Sequence, residues 1–165
     1  MNLRNKQFWL ALLILVIVII ASIGTYQRWW SLRLTIGPFS LSHWLVIIGS
    51  AYILILVPIY SYVKRHSKTF SKKLFNFHVF GNLTAFLLIS MHFFQQASRT
   101  PAFSADQSTG IILYFIAAIM ILTGFSQRFG IFKRLIKSWR FIHLSLTLSM
   151  YIIITAHVLQ YLDIL

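Results

Sequence analysis

Four histidines in two apolar stretches are the residues of this sequence whose type and spacing best suit chemistry. His78 and His92 lie fourteen residues apart in one stretch, and His143 and His157 lie fourteen apart in the other. Fourteen residues of α-helix turn through ~1400°, about 40° short of four turns, so each pair shares a helix face. The members of a pair would be ~21 Å apart along the axis, one near each edge of a ~30 Å hydrocarbon core.

This spacing predicts two stacked bis-histidine haems. One predicted span separates the two histidine-bearing helices, so they run parallel, and the inner pair is His78 with His143 and the outer pair His92 with His157. Haem iron brings four nitrogens and needs two axial ligands, whereas zinc usually takes four ligands. We therefore predict two haem b groups whose irons these four histidines bind. The absence of Cys excludes covalent c-type attachment.

Other residues are candidates for contacts with these cofactors. Arg140, near the start of the last span, is predicted to bind an anionic haem propionate. Gly81, about one turn past the first histidine, would let a porphyrin approach the backbone, and helix packing explains this glycine equally well. His43 is expected at the outer end of the second span, as a quinone contact or as an interfacial residue. His66 lies in a basic loop and is expected to be solvated.

The composition indicates that membrane helices position these residues. Of the 165 residues, 58% are hydrophobic and 10% are charged, whereas a soluble domain carries about 25% charged residues. Apolar runs predict five spans, at about residues 8–23, 41–63, 74–96, 109–126 and 138–162. The predicted fold class is therefore an all-α integral membrane bundle of five helices, forming a single domain over residues 1–165.

The net charge of +13 is concentrated in short segments between the spans. The N-terminal segment carries +2 and the loops after spans two and four carry +5 each, whereas the opposite side carries +2 after span one and no net charge after span three. Basic residues favour the inner side, so the N-terminus is predicted inside and the C-terminus outside. No basic stripe lies outside these segments, so we expect no nucleic-acid partner. We expect contacts with lipid in a prokaryotic cell (inner) membrane.

These observations predict a di-haem cytochrome that moves electrons across the bilayer. The donor would be a quinol or a partner flavoprotein, and the acceptor would be on the opposite side. With two acidic residues and no glycine-rich phosphate loop, the chain has little for acid–base catalysis or for binding its own nucleotide. Two alternatives stay open: a structural or assembly subunit that binds no haem and uses its histidines for helix packing, and a quinone-binding anchor of a larger oxidoreductase.

At these residues the sequence resembles the ferric reductase-like transmembrane family. That family includes metal reductases, the membrane cores of NADPH oxidases and the haem subunit of bacterial methionine sulfoxide reductase systems. The resemblance covers spans two to five, and it is clearest in these segments: Thr109-Gly110, Leu122-Thr123-Gly124-Phe125-Ser126, Trp139-Arg140-Phe141-Ile142-His143, Tyr151 and His157. It implies b-type haem and an oxidoreductase role. Family members usually have six spans and many continue into a flavin domain, so this resemblance implies an electron donor separate from the five spans.

Overall fold

Five long α-helices make up most of the computed structural model, which describes residues 6–67, 72–99, 105–131 and 136–161. They are α1 (Lys6–Tyr26), α2 (Leu41–His66), α3 (Lys72–Ala97), α4 (Ala105–Phe129) and α5 (Ile136–Tyr161). Each helix is long and apolar enough to cross a membrane. The prediction of five long apolar helices is therefore confirmed. The last residue of the fifth predicted span, Leu162, lies outside the described residues.

A short antiparallel hairpin lies between α1 and α2 and adds two strands that the sequence analysis did not predict. The strands are β1 (Thr35–Ile36) and β2 (Phe39–Ser40). Their loop begins with Gly37, which has a φ of 62°, a conformation that glycine adopts without steric cost. The indole N–H of Trp44 donates to the carbonyl oxygen of Ile36 at 2.8 Å, which ties the hairpin to the first turn of α2.

The first of two compact units contains α1, α2, α3 and the hairpin. Helix α3 packs against both α1 and α2. The helices α2 and α3 approach closely at Gly49, where a Cβ atom would lie 2.9 Å from the carbonyl oxygen of Ala85. At one end of this unit, the Arg28 guanidinium donates to the carbonyl oxygen of Ser98, so the chain after α1 is joined to the chain after α3.

The second compact unit contains α4 and α5. These helices pack side by side and run antiparallel, because residues early in α4 contact residues late in α5. Small and medium side chains form the contact: Ala117 is 6% exposed, Met150 is 2% exposed and Thr123 is 1% exposed. Two of the four histidines singled out above lie in this unit and two in the first.

Candidate functional site

The helices α4 and α5 are joined by two similar contacts, each between a threonine and a histidine. The hydroxyl oxygen of Thr123 lies 3.0 Å from Nδ1 of His143. The hydroxyl oxygen of Thr109 lies 2.9 Å from Nδ1 of His157. Both members of the α4 pair are fourteen residues apart, as are both members of the α5 pair, so the same contact occurs twice along one helix interface. We call these two contacts the Thr–His clasps.

A glycine follows each threonine and leaves room for the imidazole ring. A Cβ atom at Gly124 would lie 3.3 Å from Cε1 of His143, and one at Gly110 would lie 3.4 Å from Cε1 of His157. At Gly124 an added methyl group would press slightly on the ring, whereas at Gly110 it would lie at the limit of ordinary contact. Each clasp is therefore formed by a Thr-Gly dipeptide on α4, in which the threonine binds the ring and the glycine lies against it.

The other hydrogen bond of each threonine decides which ring nitrogen carries the proton. The Thr123 hydroxyl donates its proton to the carbonyl oxygen of Met120 at 3.0 Å, and the Thr109 hydroxyl donates to Oε1 of Gln160 at 3.0 Å. A hydroxyl group has one proton, so with these bonds each oxygen accepts from the histidine. We therefore predict that both rings are protonated at Nδ1 and that their Nε2 atoms carry a lone pair that can accept a hydrogen bond.

His92 makes a corresponding contact in the first unit. Its Nδ1 lies 3.1 Å from the carbonyl oxygen of Ser42 in α2. A carbonyl oxygen only accepts, so this ring is also protonated at Nδ1. The ring of His43 lies beside it, with 5.3 Å between the ring centroids, and Nδ1 of His43 is 2.7 Å from the hydroxyl of Ser40. The structure therefore brings His43 to one of the predicted ligands, where it joins the packing of α2 on α3.

His78 is held mainly by an aromatic neighbour. Its ring stacks on Tyr60 of α2, with centroids 4.1 Å apart and planes 11° apart. The side-chain amide nitrogen of Asn82, one turn further along α3, lies 3.2 Å from Nδ1 of His78. This histidine is half-buried between α2 and α3. As a result, each of the four histidines predicted to bind haem contacts a neighbouring helix of its own unit.

The remaining predicted site residues have simpler surroundings. The space over Gly81 is taken by the side chain of Tyr52, whose hydroxyl donates to the carbonyl oxygen of Phe77 at 2.8 Å. This glycine therefore serves the close packing of α2 on α3. Arg140 is exposed near the start of α5. His66 was expected in a loop but is the last residue of α2; it is exposed, and its Nδ1 lies 2.9 Å from the carbonyl oxygen of Tyr62.

The prediction of two haem b groups, with a quinone as a further cofactor, is contradicted. Within residues 6–67, 72–99, 105–131 and 136–161, no three His, Cys, Asp or Glu side chains form a group that could hold a metal ion. The predicted iron ligands instead make the helix contacts described above. The pairings of His78 with His143 and of His92 with His157 would join residues of the two different units, and they stay predictions.

Three residues that matter here were not singled out for a role by the sequence analysis: Thr109, Thr123 and Tyr60. The two threonines had a recognisable signal, because Thr-Gly occurs twice on α4 at the same fourteen-residue interval as the histidines of α5. On antiparallel helices, equal intervals place the first member of one pair opposite the second of the other. Tyr60 had no such signal, since one tyrosine in an apolar helix is ordinary.

Comparison with known protein families, with curated proteins and with solved structures finds no match to this chain. The resemblance to the ferric reductase-like family stays a prediction.

Proposed function

We propose that this chain is a membrane-embedded structural or assembly subunit whose intramembrane histidines join neighbouring helices. The observation that supports this role most strongly is the pair of Thr–His clasps, in which a threonine and a glycine of α4 meet a histidine of α5 at two places along the helix interface. If Thr109 and Thr123 had unrelated roles, nothing would require their spacing on α4 to equal the spacing of the two histidines on α5. Two contacts that both form in one register of α4 against α5 do require equal spacing.

The physical reason for the clasps is the cost of a polar side chain among apolar ones. An ionisable side chain within a membrane is expensive and usually faces another helix, where it finds a partner. Interhelical hydrogen bonds in membranes contribute only about 0.6 kcal/mol on average. Two bonds at fixed spacing do more for specificity than for stability, because sliding α5 along α4 by one residue would break both. The clasps thus select one register for the pair.

The proposal includes insertion into a prokaryotic cell membrane with the N-terminus inside. Exposed basic side chains gather where α2 ends and α3 begins, namely Lys64, Arg65, Lys72 and Lys73, and large apolar side chains are exposed on all five helices. The first pattern favours an inner location for these helix ends, and the second suits contact with lipid acyl chains.

Cysteine accessibility tests this orientation directly, because the chain has no cysteine of its own. Single variants Thr35→Cys in the hairpin and Ser67→Cys after α2 would be treated with a membrane-impermeant maleimide. In intact cells, Thr35→Cys should be labelled, and Ser67→Cys should be labelled only after permeabilisation. The reverse pattern would invert the proposed orientation, and labelling of both in intact cells would contradict insertion of α2.

The structural role itself is tested by the absorption spectrum of the full chain, purified as a monodisperse protein from cells with ample haem. The proposal predicts no α-band in the reduced-minus-oxidised spectrum and no pyridine haemochrome. Sharp bands of low-spin haem b at two per chain would overturn it and restore the electron-transfer prediction. A parallel preparation of Thr109→Val/Thr123→Val should be less stable with the same spectrum, since the clasps hold helices only.

A further inference from the structure

The hairpin between α1 and α2 has two faces of different chemistry. Ile36 lies directly opposite Phe39 in its ladder, and Thr35 lies directly opposite Ser40. Residues that are opposite each other in an antiparallel pair have side chains on the same face, and successive residues of a strand alternate between the faces. One face therefore carries an isoleucine and a phenylalanine, and the other carries a threonine and a serine.

The apolar side of the hairpin extends by one more residue. The backbone N–H of Leu41 donates to the carbonyl oxygen of Leu34 at 2.8 Å, so the ladder continues beyond β1. Leu34 therefore lies on the same face as Ile36. We call this side the apolar hairpin face, formed by Leu34, Ile36 and Phe39. Leu34 is 64% exposed and Ile36 is 49% exposed, and such side chains favour an apolar medium over water.

The hairpin joins two helices that are long and apolar enough to cross a membrane. Leu41, the first residue of α2, follows β2 directly. The indole N–H of Trp44 donates to the carbonyl oxygen of Ile36 at 2.8 Å, and the Trp44 ring meets the Phe39 ring edge-on with 5.7 Å between centroids. These contacts fix the hairpin against the first turn of α2, so its depth in a membrane is tied to the depth of that helix.

Aromatic side chains occur at the same end of the unit. Tyr26, the last residue of α1, is 51% exposed, and Trp29 in the connection to the hairpin is 65% exposed. Tyrosine and tryptophan are enriched where the hydrocarbon core meets the headgroups, because each has an apolar ring and one polar group. An exposed apolar surface at this level of a membrane meets lipid without the help of a partner protein.

We propose that the hairpin is an interfacial anchor, which lies along the bilayer surface with its apolar face against lipid acyl chains. The face that carries Thr35 and Ser40 is directed to headgroups and water. Amphipathic segments bind in this way, with their apolar face ~5–10 Å into the boundary between headgroups and acyl chains. Through Trp44 the anchor helps to set the tilt of α2, since interfacial aromatic residues set the tilt and rotation of membrane helices. The anchor rests on the membrane insertion proposed above.

Spin labels on single cysteines test the anchor, because the sequence contains no cysteine. Ile36→Cys and Thr35→Cys place the label on opposite faces of one strand. Each labelled chain would be reconstituted in nanodiscs of dioleoylphosphatidylcholine. Electron paramagnetic resonance would then measure its collision rates with molecular oxygen, which concentrates in lipid, and with a water-soluble nickel chelate. The ratio of oxygen to nickel collisions should be several-fold higher at residue 36 than at residue 35.

Two reference positions separate failure of the anchor from failure of membrane insertion. Ile48 of α2 is 56% exposed, so Ile48→Cys should give the high ratio of a lipid-facing position, and Ser67→Cys should give the low ratio of an aqueous one. Equal, low ratios at residues 48 and 67 would overturn the insertion of α2 and the anchor with it. A high ratio at residue 48 with equal ratios at residues 35 and 36 would overturn the anchor alone.

Two further results decide what covers the apolar hairpin face and what holds it there. Low collision rates with both reagents at residue 36 would overturn the lipid contact, because protein would then cover the face. With the label at residue 36, Leu34→Gln should lower the ratio toward that of residue 35, whereas Thr35→Gln on the polar face should leave it unchanged. An unchanged ratio in Leu34→Gln would overturn the anchoring role, since the helix ends alone would then hold the hairpin at its depth.

Discussion

Replacing Thr123 by Val is the sharpest perturbation of the Thr–His clasps. Valine has nearly the same shape as threonine, and residue 123 is 1% exposed, so the substitution removes the hydroxyl without opening a cavity. The hydrogen bond from His143 is lost, and its Nδ1–H is left without this acceptor in a helix interface. The bond from residue 123 to the carbonyl oxygen of Met120 is lost as well, but that carbonyl lies within α4 and keeps its helical partner.

The expected loss follows from the two consequences of removing the hydroxyl. An interhelical hydrogen bond in a membrane protein is worth about 0.6 kcal/mol on average and up to about 1.7 kcal/mol. Leaving a buried donor unpaired costs about 1–3 kcal/mol when no other acceptor reaches it. The Met120 carbonyl oxygen also hydrogen-bonds His143, so the loss should lie toward the lower end of this range. We therefore expect Thr123→Val to lower the free energy of unfolding by about 1–2 kcal/mol. For a chain of this size, that corresponds to a Tm lower by about 2–8 °C.

Circular dichroism of the detergent-solubilised protein during heating would measure this shift. Thr123→Ser keeps the hydroxyl and should stay close to wild type. Thr155→Val is a second control, because this exposed threonine donates to the carbonyl oxygen of Tyr151 in its own helix. A double-mutant cycle of Thr123→Val with His143→Phe should give a coupling energy of about 1 kcal/mol. Additivity of the two substitutions within about 0.3 kcal/mol would refute the clasp.

Three further predictions concern single positions, and each is checked by the same thermal unfolding measurement. Gly81→Ala should destabilise the protein by about 1–3 kcal/mol, because the new methyl group would overlap the Tyr52 side chain. Adding Tyr52→Ala should remove most of this penalty. An unchanged stability of Gly81→Ala alone would contradict the packing of α2 on α3. Ser22→Ala should stabilise the protein by about 1 kcal/mol, because Ser22 is 6% exposed and its hydroxyl has no hydrogen-bond partner among the described residues. A loss of stability in this variant would instead reveal a partner for the hydroxyl. Gly37→Ala should lower the free energy of unfolding by about 1–2 kcal/mol because residue 37 has a positive φ, although nothing lies near the added methyl group. Gly37→Asn should lower it less, since asparagine adopts a positive φ more readily. Equal losses in the two variants would show that the loss does not come from the backbone conformation.

The helices could be predicted from the sequence because their signal is local. Apolar runs of about twenty residues separated by basic segments give the number of helices and bounds close to the observed ones. For example, α2 was expected at 41–63 and is Leu41–His66, and α3 was expected at 74–96 and is Lys72–Ala97. The hairpin at residues 35–40 is too short to show an alternating pattern, although the turn at Gly37 was recognisable.

The surroundings of the histidines were harder to predict because they depend on contacts between helices. Fourteen-residue spacing correctly places His143 and His157 on one face of α5, since both meet α4. The same spacing does not say what meets that face. The histidines alone favour haem, whereas the Thr-Gly dipeptides at the same fourteen-residue interval indicate a contact between helices. The stacking of Tyr60 on His78 depends on the register of α2 against α3, which hydropathy does not encode.

Neighbouring helices hold His92, His143 and His157 through Nδ1. Nitrogen NMR of the full chain labelled with ¹⁵N-histidine tests this arrangement most directly, because protonated and unprotonated ring nitrogens resonate far apart. His92, His143 and His157 should each show a protonated Nδ1 and an unprotonated Nε2, and Thr123→Val should shift the Nδ1 signal of His143 while leaving that of His157 in place. Protonation at Nε2 instead, or an unchanged His143 signal in the variant, would contradict the account.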